Sequence, residues 1–251
     1  MDLLFLTTTE STNIEACRAA EAGAVHGSAV WALEQTAGRG RLGKVWSSRR
    51  GDGLYVSYVL RPHVPVEEFS KITLVAGVAA AKLLQGLLGK EKRVALKWPN
   101  DLFIDGRKIA GILAEASPLA EEPFVILGVG LNIRQQREDF PEELREKATS
   151  LFIESGRQSD PEKLAVALRT VLLEHLLRFE QGEFPQILNE WRQLDYLKGK
   201  RMECVSADGS VVRGVALGPD DEGVLFLRDD RGTLHEILSG DVSLAGKEKP
   251  R

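Results

Sequence analysis

Apolar residues follow two different periods along the first part of the chain. An apolar run at residues 3–6 predicts a strand, the run at 28–33 predicts a buried strand, and the alternation of apolar residues over 54–60 has the period of a strand. Over 66–88 the apolar residues recur at helical spacing, which predicts a long helix. The mixture of strand and helix patterns predicts an α+β fold.

Helix starts and ends are marked by a few residues. Thr12 and Glu15 fit a capping box, so a helix is predicted to begin at Thr12 and to end near Gly23. Asp160 followed by Pro161 is typical of the first residues of a helix. The helical pattern continues from there and a further helix is predicted over 184–194.

A hairpin is the clearest feature of the middle of the chain. Asp105-Gly106 is a strong turn signal between two apolar runs. The strands predicted in this region cover residues 94–97, 102–104, 108–115 and 124–129. Asp101 and Lys108 then lie at opposite ends of the hairpin, where they could form a structural ion pair or act together on one reacting centre.

The pattern changes near Asp195. Short strands are predicted over 202–205, 211–217, 224–227 and 234–238, with turns at Asp208-Gly209 and Arg231-Gly232. This is the pattern of a small SH3-like β-barrel. The predicted domains are therefore 1–195 and 196–251.

Composition limits the class of protein. The chain has 251 residues, of which 43% are hydrophobic and 28% charged, which is ordinary for a globular protein. The net charge of −4 gives no overall attraction to nucleic acid. Cys17 and Cys204 form no CxxC motif, and we see neither a leader peptide nor an apolar run of the ~20 residues that a membrane span needs. These features predict a cytoplasmic protein without a membrane partner.

The segment 38–53 is predicted to be a long surface loop, rich in glycine and arginine. Residues 39–50 carry five cations and no acid. Glycines let backbone N–H groups approach a ligand closely, and arginine donates to phosphate or carboxylate. The loop is either an anion-binding element or a solvated charge run, and its spacing is neither that of a Walker motif nor that of a Rossmann fingerprint.

Three further segments carry polar groups that could bind a ligand. Residues 97–101 read Lys-Trp-Pro-Asn-Asp, which could also be only a turn. Residues 128–132 place two glycines and Asn132 at a strand end, where the backbone can approach a ligand. In Ser11-Thr12-Asn13, the helix cap is a sufficient explanation for Thr12 but does not account for Asn13.

Taken together and in this order, these segments resemble the biotin–protein ligase family over nearly the whole chain. The residues that carry the resemblance are Ser11-Thr12-Asn13, Gln35, the Gly-Arg-Gly-Arg run at 38–41, the Lys-Trp-Pro-Asn-Asp run at 97–101, residues 108–113 and Gly130-Leu131-Asn132. The chain departs from some relatives at Lys44, where they have arginine, so the contact there would be a point charge instead of a planar fork.

The resemblance implies a fold and a set of roles. It implies a mixed-sheet catalytic domain with helices, of the class II aminoacyl-tRNA synthetase and biotin ligase type, and a small SH3-like barrel. The implied catalytic residues are Lys108, Asp101 and Arg41. Biotin would be bound by Ser11, Thr12, Asn13, Gln35, Arg39, Gly40, Arg41, Lys108 and Gly111. ATP or the adenylate would be bound by Arg39, Arg41, Lys44, Trp46, Lys97, Asn100 and Asn132.

The resemblance also implies a reaction and its partners. Biotin would react with ATP to form biotinyl-5′-AMP, with Mg²⁺ bound through the substrate phosphates. The glycine-arginine loop would fold over this adenylate and exclude water. The biotin would then pass to a lysine of a biotin carboxyl carrier domain. Because the chain begins at the catalytic domain, we expect no DNA binding; a homodimer is possible.

Three alternatives compete with this interpretation. A lipoate or octanoate ligase or transferase would share the architecture but lack the Gly-Arg-Gly-Arg loop. A non-catalytic nucleic-acid-binding protein could use the arginine loop and the barrel, although the isoelectric point of about 5.7 argues against it. A biotin sensor without activity would not need the pair of Asp101 and Lys108.

Overall fold

The computed structural model describes residues 3–205, 209–238 and 240–244, and the Asp208 half of the predicted turn lies outside them. The first part of the chain forms a mixed sheet with helices on both faces. Its elements are β1 (Leu3–Leu6), α1 (Thr12–Glu21), β2 (Ala29–Ala32), β3 (Gly53–Leu60), α2 (Ile72–Leu88), β4 (Val94–Lys97), β5 (Asp101–Ile104), β6 (Arg107–Ser117) and β7 (Phe124–Asn132). They are followed by α3 (Leu151–Ser155), α4 (Pro161–Glu180) and α5 (Phe184–Gln193).

The seven strands lie in the order β1-β2-β3-β7-β6-β5-β4. Only β1 and β2 run parallel; the neighbouring pairs from β2 onwards are antiparallel. The predicted hairpin is β5-β6, with Asp105 and Gly106 at its turn. The α+β class is thus confirmed.

Strand β3 is buried along its whole length. Apolar residues alternate along it in the sequence, and helices cover both sides of the sheet. Val59 packs in a cluster with Ala16 and Ala20 of α1, whereas Tyr58 and Leu60 belong to the main core that α2 and α4 share. Because helices cover both faces of the sheet, the residues on both faces of β3 are buried although its apolar residues alternate in the sequence.

The helix predicted over 66–88 begins with a 3-10 segment, Val66–Lys71, and continues as α2. Taken together, Val66–Leu88 is long and apolar enough to cross a membrane by length and composition, contrary to the expectation from the sequence. Its apolar residues lie in the protein core with those of α4 and α5. The buried core helix of a globular protein can have the same length and apolar composition.

Of the two predicted N-terminal capping residues, one is confirmed and one is wrong. Asp160 caps α4, because its Oδ1 accepts hydrogen bonds from the backbone N–H groups of Glu162 (3.0 Å) and Lys163 (3.4 Å). The prediction that Thr12 is a cap is wrong: Ser11 holds the cap position with extended backbone, and its side chain makes no capping bond. Gly23, with φ of +91°, follows the C-cap as predicted.

The short helix α3 was not predicted. It has only five residues, which is too few for a helical period to show. Ser150 caps it by accepting from the N–H of Ile153 at 3.1 Å, and Leu151 is buried. The helix anchors the segment before it, which borders the cleft described below.

The last part of the chain forms a second sheet of β8 (Arg201–Val205), β9 (Val211–Pro219), β10 (Leu225–Arg228), β11 (Leu234–Ile237) and β12 (Asp241–Leu244). The order is β11-β10-β9-β8-β12 and every pair is antiparallel. Buried residues of this sheet, such as Met202, Leu225 and Val242, belong to the same apolar cluster as the first sheet. A domain boundary near Asp195 stays a prediction.

Candidate active site

The site residues predicted from the sequence line a single cleft. Its cavity volume is about 590 Å³, which suits a small-molecule ligand. All of the predicted site residues line it: Ser11, Thr12, Asn13, Gln35, Arg39, Gly40, Arg41, Lys44, Trp46, Lys97, Asn100, Asp101, Lys108, Gly111 and Asn132. Residues far apart in the sequence thus share one cavity, and their individual roles stay predictions.

Lys108 and Asp101 form an ion pair inside this cleft. The Lys108 Nζ lies 2.6 Å from Asp101 Oδ1, with the lysine side chain about one-third exposed. The residues are not directly opposite in the sheet, because the register shifts between Leu102 and Phe103 and Lys108 faces Phe103. The predicted contact is therefore made across an irregular part of the hairpin.

The glycine-arginine loop is folded over the cleft. The Gly40 N–H donates to the Lys44 carbonyl at 2.7 Å, and the Trp46 N–H donates to the Gly38 carbonyl at 2.9 Å. A 3-10 turn, Arg41–Gly43, forms the tip. These bonds close the first half of the loop into a small hairpin-like turn, which brings several cations to one rim.

Trp46 fills a slot in the sheet. Its ring lies against Gly111 and Gly130, which are paired across β6 and β7. A Cβ on Gly130 would collide with the indole, so glycine is required for this approach. Lys108 Nζ lies 5.3 Å from the ring centre, and the buried Trp46 Nε1 has no hydrogen-bond partner among the described residues.

The floor of the cleft is a chain of polar side chains. Gln35 Oε1 accepts from the Thr12 N–H (2.8 Å), and Gln35 Nε2 donates to Ser48 Oγ (2.7 Å). Ser57 Oγ lies 2.8 Å from Thr12 Oγ1 and 2.5 Å from Asn13 Oδ1. Thr12 and Asn13 therefore belong to a hydrogen-bonded surface that can present fixed donors and acceptors to a polar ring.

The two asparagines on the other side of the cleft are engaged by the protein itself. Asn100 Nδ2 donates to the Ile112 carbonyl at 2.7 Å, and Asn132 Nδ2 donates to the Thr149 carbonyl at 2.9 Å. These bonds fix the orientation of each amide, and each amide oxygen remains able to accept a hydrogen bond from another group. Arg41 reaches Asn100 Oδ1 at 3.5 Å, which links the loop to this wall.

Several residues at this cleft could not be predicted from the sequence. Tyr196 lines it and stacks on Phe103, with ring centres 4.8 Å apart. Val242 and Leu244 of β12 also line it, so the second sheet contributes one wall. Only the apolar character of these residues is visible in the sequence, and it does not distinguish a wall from a core.

A buried carboxylate supports the wall behind Lys108. Glu154, whose side chain is fully buried, contacts Lys92 (2.7 Å) and Arg107 (2.9 Å) and accepts from Thr149 Oγ1. The backbone next to Thr149 pairs with Lys108, whose N–H donates to the Lys147 carbonyl at 2.7 Å. The network holds the backbone of Lys108 in place.

We expect Glu154→Gln to lower the free energy of unfolding at pH 7 by about 2 kcal/mol, because Lys92 and Arg107 lose a buried partner. Burial alone would raise the pKa of Glu154, but the contacts from Lys92, Thr149 and Arg107 outweigh it and lower that pKa. The ionised carboxylate therefore stabilises the fold above the ordinary carboxyl pKa of about 4.3, and this contribution is lost as pH falls through the lower, folded-state pKa.

Urea denaturation at pH 7 and at pH 3 measures this effect. The gap between the wild type and Glu154→Gln should be large at pH 7 and should narrow at the lower pH. The exposed Glu142 offers a matched control, since Glu142→Gln should leave stability unchanged at both values. A gap of equal size at both pH values would contradict the interpretation.

A covered mixed sheet with a cation-rich rim and a polar floor is suited to binding an anionic ligand that also carries polar groups. The chain belongs to the Biotin/lipoate A/B protein ligase family, whose profile matches residues 6–132. The profile of the Biotin protein ligase C terminal domain matches residues 203–245. The family membership expected from the motifs is confirmed.

Known relatives agree with this assignment. The chain is 37% identical to the bifunctional ligase/repressor BirA of Bacillus spizizenii over 96% of this chain and 74% of that protein. It is 35% identical to the biotin–[acetyl-CoA-carboxylase] ligase of Mycobacterium tuberculosis, over 93% of this chain and 85% of the other.

Among solved structures, the biotin protein ligase of Aquifex aeolicus in complex with biotin and ATP superimposes with a TM-score of 0.81 at 29% identity, covering 97% of this chain and 98% of that one. The fold and the enzyme class predicted from the sequence are thus confirmed.

Proposed function

We propose that this protein is a biotin–protein ligase that forms biotinyl-5′-AMP from biotin and ATP and then transfers the biotin to a lysine of a carrier protein. The observation that carries this proposal is the convergence of Lys108 and the loop cations Arg39, Arg41 and Lys44 on one cavity with a polar floor. Cations are needed there because a carboxylate and a triphosphate repel one another.

The polar floor suits the ureido ring of biotin. A ureido group offers two N–H donors and one carbonyl acceptor, so it needs acceptors and donors held at fixed positions. Ser11, Thr12, Asn13 and Gln35 surround that part of the cavity and are each largely or partly buried. The proposed orientation places the ring on this floor and the carboxylate towards Lys108.

In the first step, an oxygen of the biotin carboxylate attacks the α-phosphorus of ATP. A new P–O bond forms while the bond to pyrophosphate breaks, and the charge that builds up on the phosphate oxygens is stabilised by Lys108, Arg39 and Arg41. Lys44, Lys97, Trp46, Asn100 and Asn132 complete the nucleotide side of the proposed site.

Mg²⁺ would enter this cleft with ATP, because the phosphate oxygens are suitable ligands for it. Asp101 lines the cleft but is paired with Lys108, and the described residues contain no group of three His, Cys, Asp or Glu side chains that could hold a metal. The ion would be held by phosphate oxygens, where it would shield their negative charge.

In the second step, the carrier lysine attacks the carbonyl carbon of the adenylate, AMP leaves, and the proton of the amine passes to a base. Free lysine has a pKa of about 10.4, so it needs such a base at neutral pH. We assign this role to Asp101, which lies beside the lysine that would stabilise the carbonyl oxygen.

Incubation with biotin, ATP, Mg²⁺ and a biotin carboxyl carrier domain tests the proposal. Mass spectrometry should show the gain of one biotinyl group on the carrier. A parallel reaction with lipoate separates the proposed function from the lipoate alternative, since modification with lipoate alone would overturn the assignment. Relatives named biotin–[acetyl-CoA-carboxylase] ligase favour biotin over lipoate. A cytoplasmic location, a homodimer and the lack of DNA binding stay predictions.

A further inference from the structure

Glu115 joins the loop to the floor of the cleft. It lies on β6, and one of its oxygens, Oε2, accepts from Asn13 Nδ2 at 2.6 Å and from Arg39 at 3.1 Å. Asn13 belongs to the floor and Arg39 to the glycine-arginine loop. Glu115 is not among the residues that line the cavity, so it acts on both without occupying the space of a substrate.

The contact with Asn13 determines which side chains of the floor donate hydrogen bonds and which accept them. Asn13 Oδ1 can only accept, so Ser57 donates its one hydroxyl proton to it at 2.5 Å. Thr12 Oγ1 lies 2.8 Å from Ser57 Oγ and 3.1 Å from Gln35 Oε1, and its proton is left to donate to one of these two oxygens. This arrangement follows from the amide of Asn13 facing Glu115 with its nitrogen. If that amide rotated, its nitrogen would face Ser57, and the Ser57 proton would turn to Thr12 instead.

The contact with Arg39 fixes one end of the loop. The other end is fixed through Gln35 and Ser48, because Ser48 Oγ lies 3.2 Å from the Trp46 carbonyl and accepts from Gln35 Nε2. Both attachments lead to the same floor. The position of the loop over the cleft therefore depends on the same hydrogen-bonded chain that orients Thr12 and Asn13.

We propose that Glu115 is a positioning residue that couples the closure of the glycine-arginine loop to the orientation of the floor, and thereby sets the affinity for biotin. This inference rests on the proposed function. Arg39 belongs to the proposed sets for both substrates, but its ion pair with Glu115 is about four-tenths exposed and contributes little. The effect is therefore expected to fall on the biotin side, through Asn13 of the floor.

Two substitutions separate the two contacts. Glu115→Gln keeps an oxygen that can accept from Asn13 but loses the charge that pairs with Arg39. Because that ion pair is about four-tenths exposed, the KM for biotin should rise only about threefold. Glu115→Ala removes both contacts, and the KM for biotin should rise at least about tenfold because the Asn13 amide loses a charged acceptor. The KM for ATP should change by less than about twofold in both variants.

A second readout follows the loop directly. With no carrier present, biotinyl-5′-AMP should escape from Glu115→Ala faster than from the wild type, measured as the turnover of ATP in the presence of biotin. Glu122→Gln is the matched control: Glu122 pairs with Arg61 at 3.3 Å on the exposed connection between β6 and β7, so this variant should behave like the wild type.

The outcomes are distinct. Equal rises in both KM values, or a lowered midpoint of thermal unfolding with both KM values raised together, would mean that Glu115 only supports the fold, and would overturn the inference. The same holds if both KM values stay at the wild-type level. If the wild type itself shows no biotin-dependent turnover, the proposed function fails, which is a separate result.

Discussion

Replacement of Lys108 by alanine should lower the rate of biotin-dependent ATP–pyrophosphate exchange by about a thousandfold while the fold stays intact. The Nζ of Lys108 lies in the cavity at 2.6 Å from Asp101, with the loop cations on the rim. A unit charge about 4 Å from a phosphate contributes roughly 4 kcal/mol at an effective dielectric constant near 20. A loss of that size in the transition state corresponds to about three orders of magnitude in rate.

The matched controls vary position and charge. Lys90→Ala removes an exposed lysine that follows α2, outside the cleft, and should leave exchange unchanged. Lys108→Arg keeps the charge and should retain more activity than Lys108→Ala. Circular dichroism and thermal unfolding check the fold of each variant. Exchange at the wild-type rate in Lys108→Ala would remove the basis of the proposed first step.

Asp101→Asn should slow transfer from preformed biotinyl-5′-AMP to the carrier lysine by about a hundredfold or more, the range typical of a lost general base. Adenylate formation should fall much less, because Lys108 still supplies its charge. Asn is close in size to Asp, so the packing at the start of β5 is kept. Single-turnover transfer, with adenylate formed beforehand and excess ATP removed, measures the step alone.

The pH dependence of this variant distinguishes two roles of Asp101. As pH rises towards the pKa of the carrier lysine, about 10.4, more amine is already deprotonated and needs no base. The deficit of Asp101→Asn should therefore shrink as pH rises. An equal loss in pyrophosphate exchange and in transfer, constant with pH, would show instead that Asp101 acts only by holding Lys108.

Much of the site could be predicted because its chemistry is concentrated in short runs of consecutive residues. The loop at 38–41 and the run at 97–101 each place several polar groups next to one another, and the hairpin signal at Asp105-Gly106 brings Lys108 back to Asp101. Local turn chemistry was enough to predict that contact. The residue roles within the cleft stay predictions.

The parts that could not be predicted depend on contacts between distant residues. Glu115 meets Asn13 across 102 positions, and Ser57 meets it across 44. A glutamate on a strand and a serine in an apolar run look ordinary until the sheet places them beside α1. The capping prediction failed for a related reason: Thr12 makes a longer-range contact with Gln35, and tertiary contacts outweigh a local pattern.

The contribution of β12 to the cleft makes the two sheets interdependent in chemistry as well as in packing. Val242 and Leu244 line a space whose other walls come mainly from the first sheet and its loops, much earlier in the chain. Mixed anhydrides hydrolyse readily, so a loosened β12 would let water reach the proposed adenylate and would consume ATP without biotinylating the carrier. Damage to this strand would therefore raise unproductive ATP hydrolysis before it unfolded the protein.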